Sequence, residues 1–180
     1  MATEKQSANI SIRNCEAGDM AAIQRIYAHY VENSFASFEE VAPDTQEMTN
    51  RLQMVLQKGH PYIVAQMDGV VVGFAYASTF RARSAYRHTV ENSIYVDPTA
   101  TGKGIGSSLM ENLINICSKM GFCQMIAVIG DTENNASINL HKKFGFTQAG
   151  ILHASGFKFE RWVDTVFMQR SLGDGNTTPI

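Results

Sequence analysis

Three glycines at alternate positions, Gly102, Gly104 and Gly106, stand between a predicted strand and a predicted helix. Alternate glycines allow a loop to turn several backbone N–H groups inward as an anion-binding nest. The N-terminus of the following helix adds about half a positive charge and several unpaired amides. The segment therefore predicts a pyrophosphate site, and the alternative interpretation is a flexible turn.

The spacing of these glycines disfavours two common nucleotide sites. The Walker A pattern GxxxxGK[ST] is absent, and the three glycines do not match the GxGxxG fingerprint of dinucleotide-binding folds. An acidic residue ~20 residues further on, at the end of a second strand, is also missing. Nucleotide hydrolysis and hydride transfer are therefore disfavoured, although a nucleotide-binding domain remains a rival until binding is measured.

Four further residues could take part in acid–base or binding chemistry. Glu91 lies on a predicted core strand, where a carboxylate is costly unless it is used or paired. Burial would raise its pKa toward the range of a general base, but a structural ion pair or an edge position is the alternative. Arg81 and Arg83 could grip a carboxylate, or one of them could be a solvated charge. His141 lies on a predicted helix, where a lone His is more often structural than functional.

Hydrophobic periodicity and turn signals predict the elements that must position these residues. The predicted elements are a strand at 10–13, a helix at 19–33 capped by Asp19, a helix capped by Thr45 and stopped at 59–61, a hairpin of 62–67 and 70–80 around Asp68-Gly69, a strand at 88–96, a helix at 106–120, a strand at 123–129, a helix at 136–144, and strands at 146–152 and 163–169 separated by a loop around Gly156. Interspersed strands and helices indicate a mixed sheet covered on both faces.

Composition bounds the class of protein. The chain has 180 residues with 15 Lys+Arg and 17 Asp+Glu, a formal charge of −2, which disfavours a nucleic-acid footprint. Hydrophobic residues make up 44% and charged residues 18%, as in globular proteins. The longest nearly apolar stretch, 70–77, is far shorter than the ~20 residues that span a bilayer. No metal-binding cluster is visible, so no metal is predicted.

The two ends of the chain and the cysteines bear on domain bounds and location. We predict one domain at 9–172, with flexible tails at 1–8 and 173–180. The first nine residues lack the apolar core of a signal peptide. Three cysteines without a CxxC pair indicate free thiols in a reducing compartment. A cytoplasmic location is therefore expected.

Two segments resemble the GNAT acyltransferase superfamily. Residues 101–106, Thr-Gly-Lys-Gly-Ile-Gly, resemble its coenzyme A loop Q/R-x-x-G-x-G/A, with Thr101 in place of Gln or Arg. Residues 134–146 resemble its N-x-x-S-x-x-L-Y-x-x-x-G-F segment, with His141 in place of Tyr. Two blocks in the right order are far more specific than either alone, and the resemblance covers roughly 10–170.

The resemblance can be narrowed to one subfamily. Residues 89–96, Thr-Val-Glu-Asn-Ser-Ile-Tyr-Val, resemble the T-V-E-x-S-x-Y-V strand of phosphinothricin and methionine sulfoximine acetyltransferases, and His141 agrees with this subfamily. Further agreement comes from Ile26-Tyr27, from Ser37-Phe38, and from Gly156-Phe157-Lys158 with Trp162-Val163-Asp164.

The resemblance implies a fold and an activity. The fold would be the α/β (α+β) GNAT fold, with a central mixed, mostly antiparallel sheet and helices on both faces. The activity would be transfer of acetyl from acetyl-CoA to the α-amino group of a small glutamate-like amino acid, by direct attack in a ternary complex. Phosphinothricin, methionine sulfoximine and methionine sulfone form the implied substrate class, and a homodimer is expected.

The resemblance also implies site residues. Glu91 would be the catalytic base and His141 the general acid toward sulfur, although the thiolate could leave unprotonated. Substrate contacts are expected from Arg81, Ala82, Arg83, Glu91, Asn92 and Ser93. Coenzyme contacts are expected from Ile94, Tyr95, Val96, Gly102, Lys103, Gly104, Ile105, Gly106, Ser107, Asn134 and Ser137. Phe35, Phe38, Tyr86 and Trp162 could wall the pocket, or lie in the core or at a subunit interface.

Two alternative functions remain open: another enzymatic activity and a non-enzymatic role. The first is a GNAT enzyme for another amine, such as a protein N-terminus or a polyamine, and Arg81 and Arg83 argue against a cationic substrate. The second is a coenzyme-binding sensor without turnover, against which an intact Glu91 argues weakly.

Overall fold

The computed structural model describes residues 9–177. Its elements are β1 (Ile10–Asn14), α1 (Met20–Asn33), α2 (Thr45–Gln57), β2 (Tyr62–Met67), β3 (Val70–Thr79), β4 (Thr89–Val96), α3 (Ile105–Lys119), β5 (Gln124–Gly130), α4 (Asn135–Lys143), β6 (Thr147–Lys158) and β7 (Arg161–Ser171). The strands form one sheet in the order β1-β2-β3-β4-β5-β7-β6. Every neighbouring pair is antiparallel except β4 and β5. The predicted mixed, mostly antiparallel sheet is confirmed.

The sheet is covered on both faces because its strands alternate between two apolar cores. On β2, Ile63 and Ala65 point to one core, and Tyr62 and Val64 point to the other. The first core is covered by α3 and α4, and the second by α1 and α2. This layering matches the prediction of helices on both faces.

The two central strands, β4 and β5, separate partway along their length. They pair in parallel only from Thr89 to Asn92 and from Gln124 to Ala127. Beyond these rungs, β4 stays paired with β3 and β5 stays paired with β7. The sheet therefore has a wedge-shaped gap in its middle, where the facing edges of β4 and β5 no longer pair with each other.

Two predicted helix caps differ from the structure. Asp19 does not cap α1 through its side chain; its carboxylate instead binds Arg13 and accepts a hydrogen bond from the backbone N–H of Glu16. The cap of α2 is Asp44 and not Thr45, because the Asp44 carboxylate accepts from the N–H of Glu47 at 2.8 Å. Asp19 is therefore drawn away from the helix by Arg13, and at α2 the stronger cap is the carboxylate one residue before Thr45.

The predicted loop around Gly156 is also corrected. Gly156 lies inside β6 and pairs with Val163 of β7, and the reversal comes later, at Phe159 and Glu160. The register shifts between Leu152 and Gly156, so the strand is irregular but continuous.

The predicted N-terminal tail, 1–8, lies outside the described residues, as do residues 178–180 of the predicted C-terminal tail. Residues 173–177 form hydrogen-bonded turns, with the Gly175 N–H donating to Leu172 O at 2.8 Å. The three cysteines, Cys15, Cys117 and Cys123, are free thiols. Within residues 9–177, none of the helices has the length and apolar character that a membrane span requires.

Candidate active site

A cleft of about 600 Å³ occupies the gap between β4 and β5. Its walls are the separating strands, one side of α4, the end of α1 with the segment that follows it, and Arg161. The cleft brings together these predicted site residues: Asn92, Ser93, Ile94, Tyr95, Val96, Asn134, Ser137 and His141.

The backbone of β4 presents alternate residues to the gap. The N–H of Asp97 donates to Val72 O at 2.8 Å, and β3 and β4 pair without a register shift. Because alternate residues of an antiparallel strand bond the same neighbour, the backbone groups of Tyr95 face β3, and those of Ile94 and Val96 face the gap. The Val96 carbonyl already accepts from the hydroxyl of Tyr30 at 2.7 Å.

The glycine loop has the geometry of an anion nest. Gly102 and Gly104 have φ of +76° and +84°, values that favour glycine. The first backbone bond of α3 runs from Ser108 N–H to Gly104 O at 3.0 Å, so the preceding amides of the helix have no partner within it. The Lys143 ammonium donates to the Ser107 hydroxyl at 3.1 Å. Unpaired amides and a cation therefore converge beside this loop.

Two other residues of this loop, Thr101 and Lys103, differ in their relation to the cleft. Thr101 lines the cleft, and its hydroxyl donates to Pro98 O at 3.2 Å. Thr101, which stands where the family has Gln or Arg, therefore uses its side chain for a local hydrogen bond to the preceding turn. Lys103 is exposed and its ammonium is 3.5 Å from Thr99 O.

On α4, the side chain of His141 is buried and fixed at both ring nitrogens. Nδ1 is 2.7 Å from Ser137 O, and since a carbonyl only accepts, Nδ1 carries the proton. In the neutral ring Nε2 is then an acceptor, and it faces Nδ2 of Asn92 at 2.9 Å. Burial lowers the pKa of His141, against a smaller opposite effect of the Ser137 carbonyl. The lone pair of Nε2 is thus already engaged.

Asn134 caps α4, as its side chain accepts from the Ser137 N–H at 3.2 Å. It also donates to Gly130 O at 3.4 Å, which ties the start of α4 to the end of β5. Both Asn134 and Ser137 line the cleft on the side of α4.

Glu91 lies on the opposite face of the sheet from His141. Val90, Ile94 and Val96 pack into the core under α3 and α4, whereas Tyr95 packs into the core under α1 and α2. By alternation, Glu91 shares the second face with Tyr95. Burial raises its pKa, and the positive charge of Arg81 opposes this effect. A half-buried carboxylate with a raised pKa is suited to accept a proton.

The predicted substrate arginines lie outside the cleft. Arg81, Ala82 and Arg83 line a separate recess of about 280 Å³, together with Thr89 at the start of β4. Thr89, Glu91 and Ser93 share one face of the strand. Because Ser93 lines the cleft, Glu91 stands between the basic recess and the cleft.

For four aromatic residues, the sequence does not distinguish a place in the pocket wall from one in the core or at a subunit interface. Phe35 lines the cleft and Tyr86 lines the basic recess. Trp162 is 65% exposed and packs edge-on against Phe157. Phe38 packs on Gly156, outside the cleft.

Sequence reasoning missed part of the cleft wall. Tyr30, Ser34, Ala36, Asp131 and Arg161 line it, and Arg161 forms an ion pair with Asp131. None of them belongs to a motif with a chemical signature. Asp131 has φ of +74°, which its sequence context does not reveal.

Comparison with known proteins gives consistent matches. The model of the acetyltransferase (GNAT) domain matches residues 12–167. The phosphinothricin N-acetyltransferase of Alcaligenes faecalis is 50% identical over 168 residues, covering 93% of this chain and 85% of the relative. The L-methionine sulfoximine/L-methionine sulfone acetyltransferase of Salmonella typhimurium is 36% identical over 165 residues, with coverage of 92% and 96%.

A solved structure agrees with these relatives. The phosphinothricin acetyltransferase of Sinorhizobium meliloti, crystallised in complex with AcCoA, superposes with a TM-score of 0.92 at 46% identity. The match covers 94% of this chain and 92% of that protein.

Proposed function

This chain belongs to the GNAT acetyltransferase superfamily, and from that premise we propose that it acetylates the α-amino group of a small glutamate-like amino acid. Phosphinothricin, methionine sulfoximine and methionine sulfone form the substrate class that its relatives' names indicate. Acetyl-CoA is the co-substrate. The observation that carries the proposal is the position of Glu91 between a basic recess and the cleft.

The coenzyme fits the cleft through backbone groups. The pantetheine arm takes the place of a missing strand beside β4, using the gap-facing groups of Ile94 and Val96. Asn134 and Ser137 contact it from the side of α4. The pyrophosphate rests on the amides of residues 102–107, and the ammonium of Lys143 lies beside that loop.

The substrate's amine approaches on the face of Glu91. The carboxylate of Glu91 takes a proton from the amine, directly or through one water, as the nitrogen attacks the thioester carbon. The N–C bond forms, the C–S bond breaks, and the electron pair of that bond leaves with sulfur. No cysteine lines the cleft or the basic recess within the described residues, so direct attack in a ternary complex is favoured over an acyl-enzyme.

The predicted role of His141 is to protonate the departing thiolate. Neutral His141 has its Nε2 lone pair on Asn92 and its Nδ1 proton on Ser137. It therefore has no free proton to donate, and its lowered pKa disfavours a second one. We favour departure as the thiolate, since a thiol pKa of ~8.5 makes it a tolerable leaving group.

Recognition of the substrate follows from charge. The recess beside Glu91 holds Arg81 and Arg83, with Lys58 and Arg87 at the same recess. Such a cluster suits the carboxylate of an amino acid and repels a polyamine. Ser93, on the same strand face as Glu91, completes the substrate contacts where β4 enters the cleft. The predicted contact from Asn92 is not part of this arrangement, because Asn92 lies on the opposite face and donates to His141.

The expected homodimer and the cytoplasmic location remain proposals. An exposed apolar surface on the β6–β7 hairpin supports the first: Phe157, Phe159 and Trp162 are 55%, 52% and 65% exposed. Exposed aromatic clusters of this kind mark interaction surfaces. Free thiols agree with a reducing compartment.

The test is a thiol-release assay with acetyl-CoA against a panel of amines. The panel contains phosphinothricin, methionine sulfoximine, methionine sulfone, ordinary amino acids, spermidine and an N-terminal peptide. Turnover confined to the sulfoximine group supports the proposal. Turnover only on spermidine or the peptide would overturn the recognition of an acidic substrate, and coenzyme binding without any turnover would favour a sensor.

A further inference from the structure

Two segments that mark the subfamily resemblance, Ser37-Phe38 and Gly156-Phe157-Lys158, meet in space although more than 110 positions separate them. We propose that Lys158 is a positioning residue, which holds residues 34–38 as a fixed wall of the amine-binding side of the cleft. We call residues 34–38 the wall segment. The inference rests on the proposed function for its account of the amine.

Lys158 makes contacts that are unusual for a lysine. It is 2% exposed, and its ammonium donates to Ser34 O at 2.8 Å and to Ser37 O at 2.6 Å. Its ammonium also lies 4.8 Å from the centre of the Phe159 ring. Ion pairs in the described chain do not include it. A charge buried on two carbonyls is costly, which indicates that the geometry fixed by Lys158 serves a function.

Two glycines let the wall segment approach the sheet closely. A Cβ at Gly156 would lie 2.5 Å from the ring of Phe38, and a Cβ at Gly130 would collide with the carbonyl of Phe35. Neither glycine has a positive φ, so close approach and not backbone conformation explains them. The wall segment is therefore seated on β5 and β6 as well as bonded to Lys158.

The cleft side of the wall segment is fixed too. The guanidinium of Arg161 stacks 4.2 Å from the centre of the Phe35 ring, and Arg161 is itself paired with Asp131. The hydroxyls of Tyr27 and Ser37 are 3.0 Å apart, and the Tyr27 ring packs edge-on against Tyr95. The wall segment is thereby connected to β4 on the face that carries Glu91.

This placement assigns the wall segment to the amine and not to the coenzyme. Ser34, Phe35 and Ala36 line the cleft. They follow α1, which covers the same face of the sheet as Glu91. The glycine loop, Asn134 and Ser137 belong to the face covered by α3 and α4. Lys158 therefore sets the width of the cleft where the amine must sit.

The first experiment compares Lys158→Met with Lys119→Met, a matched change at an exposed lysine near the end of α3. Removing two charge-assisted hydrogen bonds should raise the KM for the amine by about tenfold or more. We expect the KM for acetyl-CoA and kcat to change by less than about threefold, because the coenzyme side and Glu91 are untouched. Lys119→Met should match the wild type.

A second pair of variants keeps the test decisive if Lys158→Met does not fold. Gly156→Ala should displace Phe38 and raise the KM for the amine, and Phe38→Ala should leave room for the new methyl group. In the double variant the effect of Gly156→Ala should be largely cancelled. Additive effects of the two changes, or equal losses for both substrates, would overturn the positioning role.

Amide hydrogen exchange separates this inference from the proposed function. In Lys158→Met the amides of the wall segment should exchange at least about tenfold faster, and in Lys119→Met they should not. That result would support a fixed wall even if no amine of the panel were acetylated. Unchanged exchange, or faster exchange with an unchanged KM for the amine, would refute the proposal.

Discussion

Replacing Glu91 by Gln tests the base and its surroundings together. The side chain keeps its shape but can no longer accept a proton. Removing a general base costs about 10²–10⁴ in rate, or roughly 3–5 kcal/mol in the barrier. Two residues along a strand are about 7 Å apart, so Glu91 reaches a group at the level of Ser93 most easily through one water. That water persists in the variant, and we expect kcat to fall by about 10²–10³.

The same substitution should not destabilise the fold. Burial and Arg81 are the influences on the pKa of Glu91, and the net result is a raised pKa. A raised carboxyl pKa means that folding favours the neutral form, so wild-type stability falls as pH rises through the unfolded and then the folded pKa. Gln does not ionise, so it avoids this loss of stability. At neutral pH the melting temperature of the variant should therefore be equal to or above that of the wild type.

The assay is thiol release at saturating concentrations of both substrates, followed from pH 5 to pH 9, with thermal unfolding on the same samples. In the wild type the acid limb of kcat should lie above the ordinary Glu pKa of ~4.3, and in the variant this limb should vanish. A fall in kcat of less than about fivefold would place the base elsewhere. A lower melting temperature would show that the carboxylate is structural.

Three more predictions follow from the site. Gly104 has φ of +84°, and a non-glycine residue in this conformation costs about 1–2 kcal/mol. Gly104→Ala should therefore weaken acetyl-CoA binding, measured by calorimetry, by about 5- to 30-fold. Gly18→Ala, at a position where a Cβ would meet open space, is the control. Arg81→Gln should raise the KM for the amino acid about tenfold and move the Glu91 acid limb to higher pH, because the charge that lowers this pKa is gone. His141→Gln should lower kcat by less than about tenfold; a loss of 10²–10⁴ would restore the general-acid role.

Local signals explain why much of the fold could be predicted. Asp68-Gly69 predicts a two-residue hairpin turn because both positions need positive φ, and the structure has +52° and +83° there. The strand–glycine loop–helix order at 89–119 was likewise predicted from short-range pattern, within about one residue at each end. These features depend on neighbouring residues, so a single sequence contains them.

The corrected features depend on contacts between distant residues. Gly156 looks like a loop residue in sequence, but it is needed because Phe38 packs against it from another part of the chain. Asp19 is a good cap by type, yet Arg13 on β1 binds its carboxylate. The state of His141 follows from Ser137 and Asn92 together. Such partners are set by tertiary packing, which residue type and spacing do not specify.

The incomplete pairing of β4 with β5 also bears on how the molecule resists unfolding. Four parallel rungs join the β1–β4 half of the sheet to the β5–β7 half, across a separation of 35 positions in the chain. If acetyl-CoA binds as proposed, it contacts β4 of the first half and α4 of the second, so its binding should favour the state in which the two halves are joined. By mass action, a coenzyme at about 100 times its Kd adds about 2.7 kcal/mol to the free energy of unfolding. We therefore expect the protein to resist unfolding, and proteolysis through the unfolded state, better with bound acetyl-CoA than without it.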